Sequence, residues 1–348
     1  MATFWFIIIA FLWTGFMVLE GFDFGVGALH GVVGGDDAGR REVLHTIAPV
    51  WDGNEVWLIT AGASMFAAFP GWYATGFSAL YPALVLLLIA LILRGVGIEF
   101  RGRRDHVRWR RGWSVALAVS SVVAPLLIGV ALADFGYGLP INAQQEFVGN
   151  FWDLVPLYSV VTGIAFVAIT LLHGAVFLSI KVHGEPHRRA VRLARTIAPI
   201  AVVLVAAMAI WTHVVLGQGF LLSTVELLAI VAVIGAALLV FAGSWGWAFV
   251  ATVVTIASMV VTIFADMYPN VMVSSLGAAN NLTIHNTASS PYSLKVMTVI
   301  AVIFLPAVIA YQAWTYHVLR RRLTEPAGSP STDRVAGTED ASGRPTHS

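Results

Sequence analysis

Asp52 and Glu55 stand three residues apart in Thr46-Ile-Ala-Pro-Val-Trp-Asp-Gly-Asn-Glu-Val-Trp57, a stretch that continues as an apolar run to about Phe69. Glu20 and Asp23 repeat that spacing in Leu19-Glu-Gly-Phe-Asp-Phe-Gly-Val-Gly27, and Arg94 lies near the end of a third apolar run. In a helix, side chains three apart share a face. An ionisable group in hydrocarbon is costly and is kept where it pairs with another group or marks an ion or proton path. One arginine cannot balance four ionised carboxylates, so some of the four must be protonated or solvated, a state suited to passing protons. The functional reading is a proton-uptake route. The structural alternative is a buried lock in which Arg94 neutralises one carboxylate while Asn54 and the Trp51 indole satisfy others.

The elements that must position these residues follow from composition. With 58% hydrophobic and 11% charged residues among 348, and a mean hydropathy of +0.81, the chain cannot make a soluble surface. Repeated apolar runs of membrane-spanning length predict an all-α integral membrane protein, because helices satisfy their own backbone in lipid; a transmembrane barrel would show short alternating segments. The absence of cysteine excludes disulfides, thiolate metal ligands and cysteine nucleophiles. No small-residue cleavage pattern follows the first apolar segment, which is therefore read as a retained helix.

Nine transmembrane helices are predicted, over 4–30, 45–69, 73–99, 113–134, 154–180, 196–216, 224–242, 245–268 and 294–319. The loops after the first, third and fifth hold two, six and five Lys/Arg, and Arg320, Arg321 and Arg322 follow the ninth. The loops after the second, fourth, sixth and eighth hold none, with Lys295 at the start of the ninth span. Positive-inside retention then puts the N-terminus outside and the C-terminus in the cytoplasm. In that frame Asp23 and Asp52 each lie about seven residues, or ~10 Å of helix rise, from the inner face, with Arg94 about as deep. The layer is expected to face the bundle interior and to pair within itself or with a partner, and Gly21, Gly25, Gly27 and Gly31 give a small-residue spacing that lets another backbone come close.

The transmembrane domain is taken as 1–323, followed by a disordered cytoplasmic tail over 324–348. Thr46-Ile-Ala-Pro49 recurs as Thr196-Ile-Ala-Pro199, and Leu29-His-Gly31 as Leu172-His-Gly174. Four spans separate the copies in both cases. That spacing predicts two four-helix bundles in parallel orientation, over 4–135 and 154–268, plus one additional helix over 294–319, with chance matching as the alternative. The basic loop from Arg101 to Arg111 reads as a topological signal, with an anionic-lipid or nucleic-acid patch as its rival. His173 and His213 read either as haem-iron ligands or as hydrogen-bonded structural residues. Asp134 and Asp266 read as solvated boundary residues at outer span ends. Most Trp and Tyr suit interfacial belts, although a quinone could stack on some. No nucleotide-binding glycine loop or zinc-type histidine motif is present.

Glu20-Gly-Phe-Asp-Phe-Gly25, Thr46 to Trp57 with Leu58-Ile-Thr-Ala-Gly62, and Arg94-Gly-Val-Gly-Ile-Glu-Phe-Arg101 together resemble subunit II of the cytochrome bd-type quinol oxidases. The resemblance is dense over 15–101; elsewhere it lies in span number and length and in Gly149-Asn150-Phe151. It implies a respiratory terminal oxidase of the bacterial cytoplasmic membrane that oxidises quinol and reduces dioxygen to water. Haem b, haem d and the quinol-oxidising loop would belong to a pseudo-symmetric subunit I, with no catalytic residue in this chain. The partners implied are subunit I, small accessory membrane subunits, lipid and quinol, with no nucleic acid; a structural quinone in this chain is left open. By the resemblance Asp52 matches the family's proton-channel carboxylate and Trp51 its adjacent aromatic. Asp23 and Glu20 match the first-helix acidic motif, Glu55 a position held by Glu or Gln, and Arg94 a family arginine with an ion-pair or haem-propionate role. A proton-coupled secondary transporter and a purely structural membrane subunit are the alternatives, the first also being polytopic with buried carboxylates.

Overall fold

A chain with so few polar side chains must satisfy its backbone within helices, and helices dominate the computed structural model, which describes residues 1–216 and 222–318. The expected tail over 324–348 and Arg320 to Arg322 lie outside the described residues. The first group is α1 (Ala2–Gly34), α2 (Asp37–His45), α3 (Trp51–Ala68), α4 (Pro70–Ala79), α5 (Tyr81–Phe100) and α6 (Val107–Tyr137). The second is α7 (Leu157–Lys181), α8 (Gly184–Leu216), α9 (Thr224–Phe241) and α10 (Trp245–Met267). A small antiparallel pair, β1 (Asn270–Met272) and β2 (Leu282–Thr283), precedes α11 (Pro291–Val318). Among the described residues eight helices, α1 and α5 to α11, are long and apolar enough to cross a bilayer. The chain is a multi-pass membrane protein.

Prolines redraw two of the expected spans. The segment 45–69 is divided into the end of α2, a turn over 46–50 and the 18-residue α3. Pro49 has no N–H to give a preceding turn, so the chain bends before the helix restarts at Trp51. With Asp52, Asn54 and Glu55 in its first two turns, α3 falls short of the continuous apolar run that marks the eight helices above. The segment 73–99 is likewise divided into α4 and α5, with Pro82 in the first turn of α5. There a missing N–H costs nothing, because first-turn donors have no intrahelical partner. Conversely, α6 and α8 start earlier than their apolar cores predict, taking Arg108 to Arg111 and Arg188 to Arg195 into helical turns.

The first helix is the hub, touching α2, α3, α6, α7 and α10. Its run from Glu20 to Gly27 is buried without interruption. Two glycines make this possible: a Cβ on Gly25 would strike the backbone of Thr170 and Gly174, and one on Gly174 would strike Gly25. Gly31, from the same predicted small-residue series, faces open space. Helices α7 to α10 close into a ring, each touching the next and α10 returning to α7. By contrast α11 is peripheral, with Leu294 its one buried residue among those described. The echoed tetrapeptides differ locally, since Thr46 to Pro49 form a turn whereas Thr196 to Pro199 lie inside α8.

At the end of the molecule opposite α2, the loop after α6 and the β1–β2 segment fold over the helix ends. Leu139 N–H donates to Val273 O (3.0 Å) and Val273 N–H to Phe135 O (2.9 Å). This cover changes the reading of the boundary carboxylates: Asp134 is fully buried rather than solvated, and Asp266 is half-buried.

Candidate functional site

Three helices bring the acidic motifs together. Glu20 and Asp23 on α1, Asn54 on α3 and Arg94 on α5 are all fully buried, and Glu55 on α3 is 23% exposed. Arg94 Nη1 forms ion pairs with Glu20 Oε1 and, at 2.9 Å, with Glu55 Oε1. The guanidinium also lies 4.9 Å from the centroid of the Phe24 ring. Trp51 packs its indole against the backbone of α5 at Gly95, next to Arg94. A Cβ at that position would press on the ring at 3.2 Å, so the indole would have to give by a few tenths of an ångström.

Asp23 sits on the same stripe of α1 but pairs differently. Its Oδ2 accepts from Asn54 Nδ2 at 2.7 Å, and the same nitrogen donates to Leu19 O at 3.2 Å. Asn54 Oδ1 accepts from Tyr316 Oη at 2.9 Å and from Gln312 Nε2 at 3.0 Å, both on α11. Sequence reading missed Tyr316 and Gln312, which lie one helical turn apart but more than 250 residues from Asn54. Their only sequence signal is a neutral polar pair in an apolar span, too common to single out.

Four of the predicted residues, Glu20, Asp23, Glu55 and Arg94, therefore meet with Asn54, and Trp51 flanks them. Asp52 departs from the expectation of an inward-facing layer: its side chain is exposed on the outer surface of α3, a turn before Glu55. The buried part thus contains three carboxylates against one guanidinium. Opposite charges close together stabilise one another in a low-dielectric interior, but a surplus of negative charge there is costly unless protons join it. Chemically, the arrangement can hold and exchange protons.

A lattice of ions ties the adjoining helix ends. Arg101 Nη2 donates to Asp37 Oδ1 (2.6 Å), its Nε to Ser114 Oγ (2.8 Å), and Arg110 Nη1 to Asp37 Oδ2 (2.8 Å). Asp37 opens α2, Arg101 follows α5 and Ser114 lies on α6, so three elements beneath the site are fixed to one another. Partial burial pushes the Asp37 carboxyl up, but the Arg101, Arg41 and Arg110 guanidiniums outweigh it and hold it below the usual carboxylate range.

Both histidines weighed as iron ligands hydrogen-bond within this chain. In His173, Nδ1 is 2.7 Å from Thr252 Oγ1 and Nε2 is 3.3 Å from Val18 O, while the ring stacks on Phe249. His213 Nδ1 is 3.1 Å from Glu226 Oε2. Among the described residues no three His, Asp or Glu side chains are grouped to hold a metal ion.

Comparison with known proteins places these observations. The family model for cytochrome bd terminal oxidase subunit II matches residues 1–319. The cytochrome bd ubiquinol oxidase subunit 2 of Bacillus subtilis (strain 168) is 38% identical, covering 92% of this chain and 96% of its own. The cytochrome bd-I ubiquinol oxidase subunit 2 of Escherichia coli (strain K12) is 32% identical, covering 92% of this chain and 94% of its own. A solved structure of the bd oxidase from Geobacillus thermodenitrificans superposes with a TM-score of 0.63 over 92% of this chain and 97% of that one; at 16% identity it speaks for the fold alone.

Proposed function

The chain belongs to the cytochrome bd terminal oxidase subunit II family, and on that premise we propose that its buried carboxylate cluster is a proton-uptake route serving dioxygen reduction in the assembled oxidase. The protein is one component of a membrane oxidoreductase that oxidises quinol and reduces dioxygen to water. In this reading haem b and haem d are carried by subunit I, and this chain stabilises that partner, with small accessory subunits as further neighbours. The observation that carries the proposal is the Glu20–Arg94–Glu55 ion-pair triad with Asp23 beside it, three buried or half-buried carboxylates for one positive charge.

Asp52, exposed one turn before Glu55, would be the mouth of the route. Glu55 reaches from that edge to Arg94, and Glu20 and Asp23 form the interior stage. Arg94 keeps the carboxylates in register, while its single charge leaves negative charge for protons to neutralise. Oxygen reduction consumes protons, so uptake from the inner face makes the chemistry electrogenic without pumping; each charge crossing the full potential is worth about 2.3 kcal/mol per 100 mV.

The same reading counts α3 as a ninth spanning helix. It groups α1, α3, α5 and α6 as one half and α7 to α10 as the other, adds α11, and places the N-terminus outside and the α2 end in the cytoplasm. The Lys/Arg asymmetry of the loops supports that orientation. An apolar groove of about 630 Å³, lined among others by Trp13, Phe66, Tyr73, Phe77 and Leu88, has the size and character for a structural quinone.

Asp23→Asn and Asp52→Asn, each purified in the assembled complex and assayed for quinol-driven oxygen consumption, test the proposal. Loss of a proton-relaying carboxylate is expected to slow turnover by about tenfold or more. Unchanged turnover in both variants would instead make this chain a purely structural subunit.

A further inference from the structure

The hydrogen bonds of Asn54 settle which way its amide points. Leu19 O is an acceptor only, so the amide group 3.2 Å from it must be the NH₂, and the same nitrogen is the one 2.7 Å from Asp23 Oδ2. On the other side, Oδ1 accepts from Tyr316 Oη and Gln312 Nε2. An amide rotated by half a turn would set its carbonyl against Leu19 O and Asp23 Oδ2, and both α11 side chains would have to turn so as to accept from its NH₂ instead of donating.

Two of those four contacts come from α11, a helix that little else holds. Its far end is tied by Trp5 Nε1, which donates to Leu294 O (3.3 Å) and Thr298 Oγ1 (3.1 Å). Between the two ends, an apolar cavity of about 230 Å³ separates α11 from α1 and α3, bordered by Leu12, Trp57, Phe304 and Leu305. The Tyr316 ring then meets Phe22 edge-on, with centroids 6.3 Å apart. The end of α11 nearest the acidic cluster is thus docked mainly through the two side chains that hold Asn54.

We propose that Tyr316 and Gln312 are positioning residues for proton transfer: by docking α11 they lock the Asn54 amide so that Asp23 Oδ2 always faces a donor and the proton is exchanged at Oδ1. This rests on the reading of the cluster as a proton route. A carboxyl oxygen that accepts a hydrogen bond from an amide is favoured in its ionised form, whereas one facing a carbonyl must carry a proton. Asp23 Oδ1 is buried and accepts no hydrogen bond from a described residue. The charged and titratable groups around Asp23 are Glu20 on α1, Glu55 on α3, Arg94 on α5 and Tyr316 on α11. His173 on α7 turns to Val18 O and Thr252 of α10 instead. Undocking α11 removes two of the four contacts that oppose a turn of the amide, leaving only Leu19 O and Asp23 Oδ2 to hold it, and so weakens the donor that favours the ionised Asp23.

The test is the pH profile of quinol-driven oxygen consumption in the purified complex for wild type, Asp23→Asn, Tyr316→Phe and Tyr316→Phe/Gln312→Leu. With the latch removed, the acid side of the profile moves to higher pH by about half a unit to one unit, the scale of one or two hydrogen bonds. Tyr316→Phe keeps the ring against Phe22 and shows the smaller part of the shift, so it carries the test if the double variant does not assemble. If Asp23→Asn slows turnover while both latch variants keep the wild-type profile, the positioning role is overturned and the proton route stands. If Asp23→Asn leaves rate and profile unchanged, Asp23 is not a stage of the route, and the latch fails with it.

Discussion

At the scale of single residues the arrangement turns on Arg94. It is fully buried, paired with Glu20 and Glu55 and stacked near Phe24, so its removal leaves two carboxylates without a counter-charge. Breaking a buried pair from one side costs about 3–5 kcal/mol. Arg94→Met should therefore lower the thermal stability of the purified complex sharply, and adding Glu20→Gln should recover a measurable part; equal melting of the single and double variants would show that the pair is not the stabilising contact. Glu20, Asp23, Glu55 and Arg94 were legible in the sequence, because charge inside an apolar run is rare and demands a partner. The facing of Asp52 was not, since the three-residue spacing to Glu55 fixes a rotation of only 60° on a helix and leaves open which of the two points inward. Tyr316 and Gln312 were hidden for a different reason: neutral polar residues are cheap in a span, and their partner is remote in sequence.

At the scale of elements, helix ends are set by prolines and fastened by ions. Pro49 and Pro82 divide two expected spans, and the breaks were readable in principle from the missing N–H; hydropathy, which averages over such breaks, passed over them. Buried Asp134 escaped for a related reason, because a loop and a short β-pair cover the end of α6 and periodicity does not report what a loop covers. The Asp37 lattice joins α2, α5 and α6 on the cluster's side of the molecule. Because the Asp37 carboxyl is held below its usual range, its contribution is complete above the ordinary carboxylate value of about 3.9 and is lost as pH falls through the lower, folded value. The stability difference between wild type and Asp37→Asn should accordingly be constant above about pH 5 and vanish in stronger acid. Thermal unfolding of the complex across that range checks it, and a difference that persists in strong acid would assign the loss to packing instead.

At the scale of the whole molecule, polytopic architecture and family were both open to sequence reading. Composition dictates helices in lipid, and the motifs over 15–101 carry the resemblance that the family match over 1–319 bears out. What could not be read was how a peripheral helix, α11, reaches back to the first acidic motif through Asn54. The resulting picture is a subunit whose rigid hub, α1 crossing α7 at Gly25 and Gly174, supports a charge-rich seam among α1, α3 and α5. On the proposed function, protons for dioxygen reduction enter through that seam from the side of α2. Reconstituting the complete oxidase in vesicles and recording proton uptake from the α2-side compartment during quinol oxidation, for wild type and Asp23→Asn at matched enzyme content, tests it most directly. Uptake from that side is expected to fall in step with oxygen consumption in Asp23→Asn; uptake from that side at the undiminished wild-type rate in the variant would show that protons do not pass through Asp23.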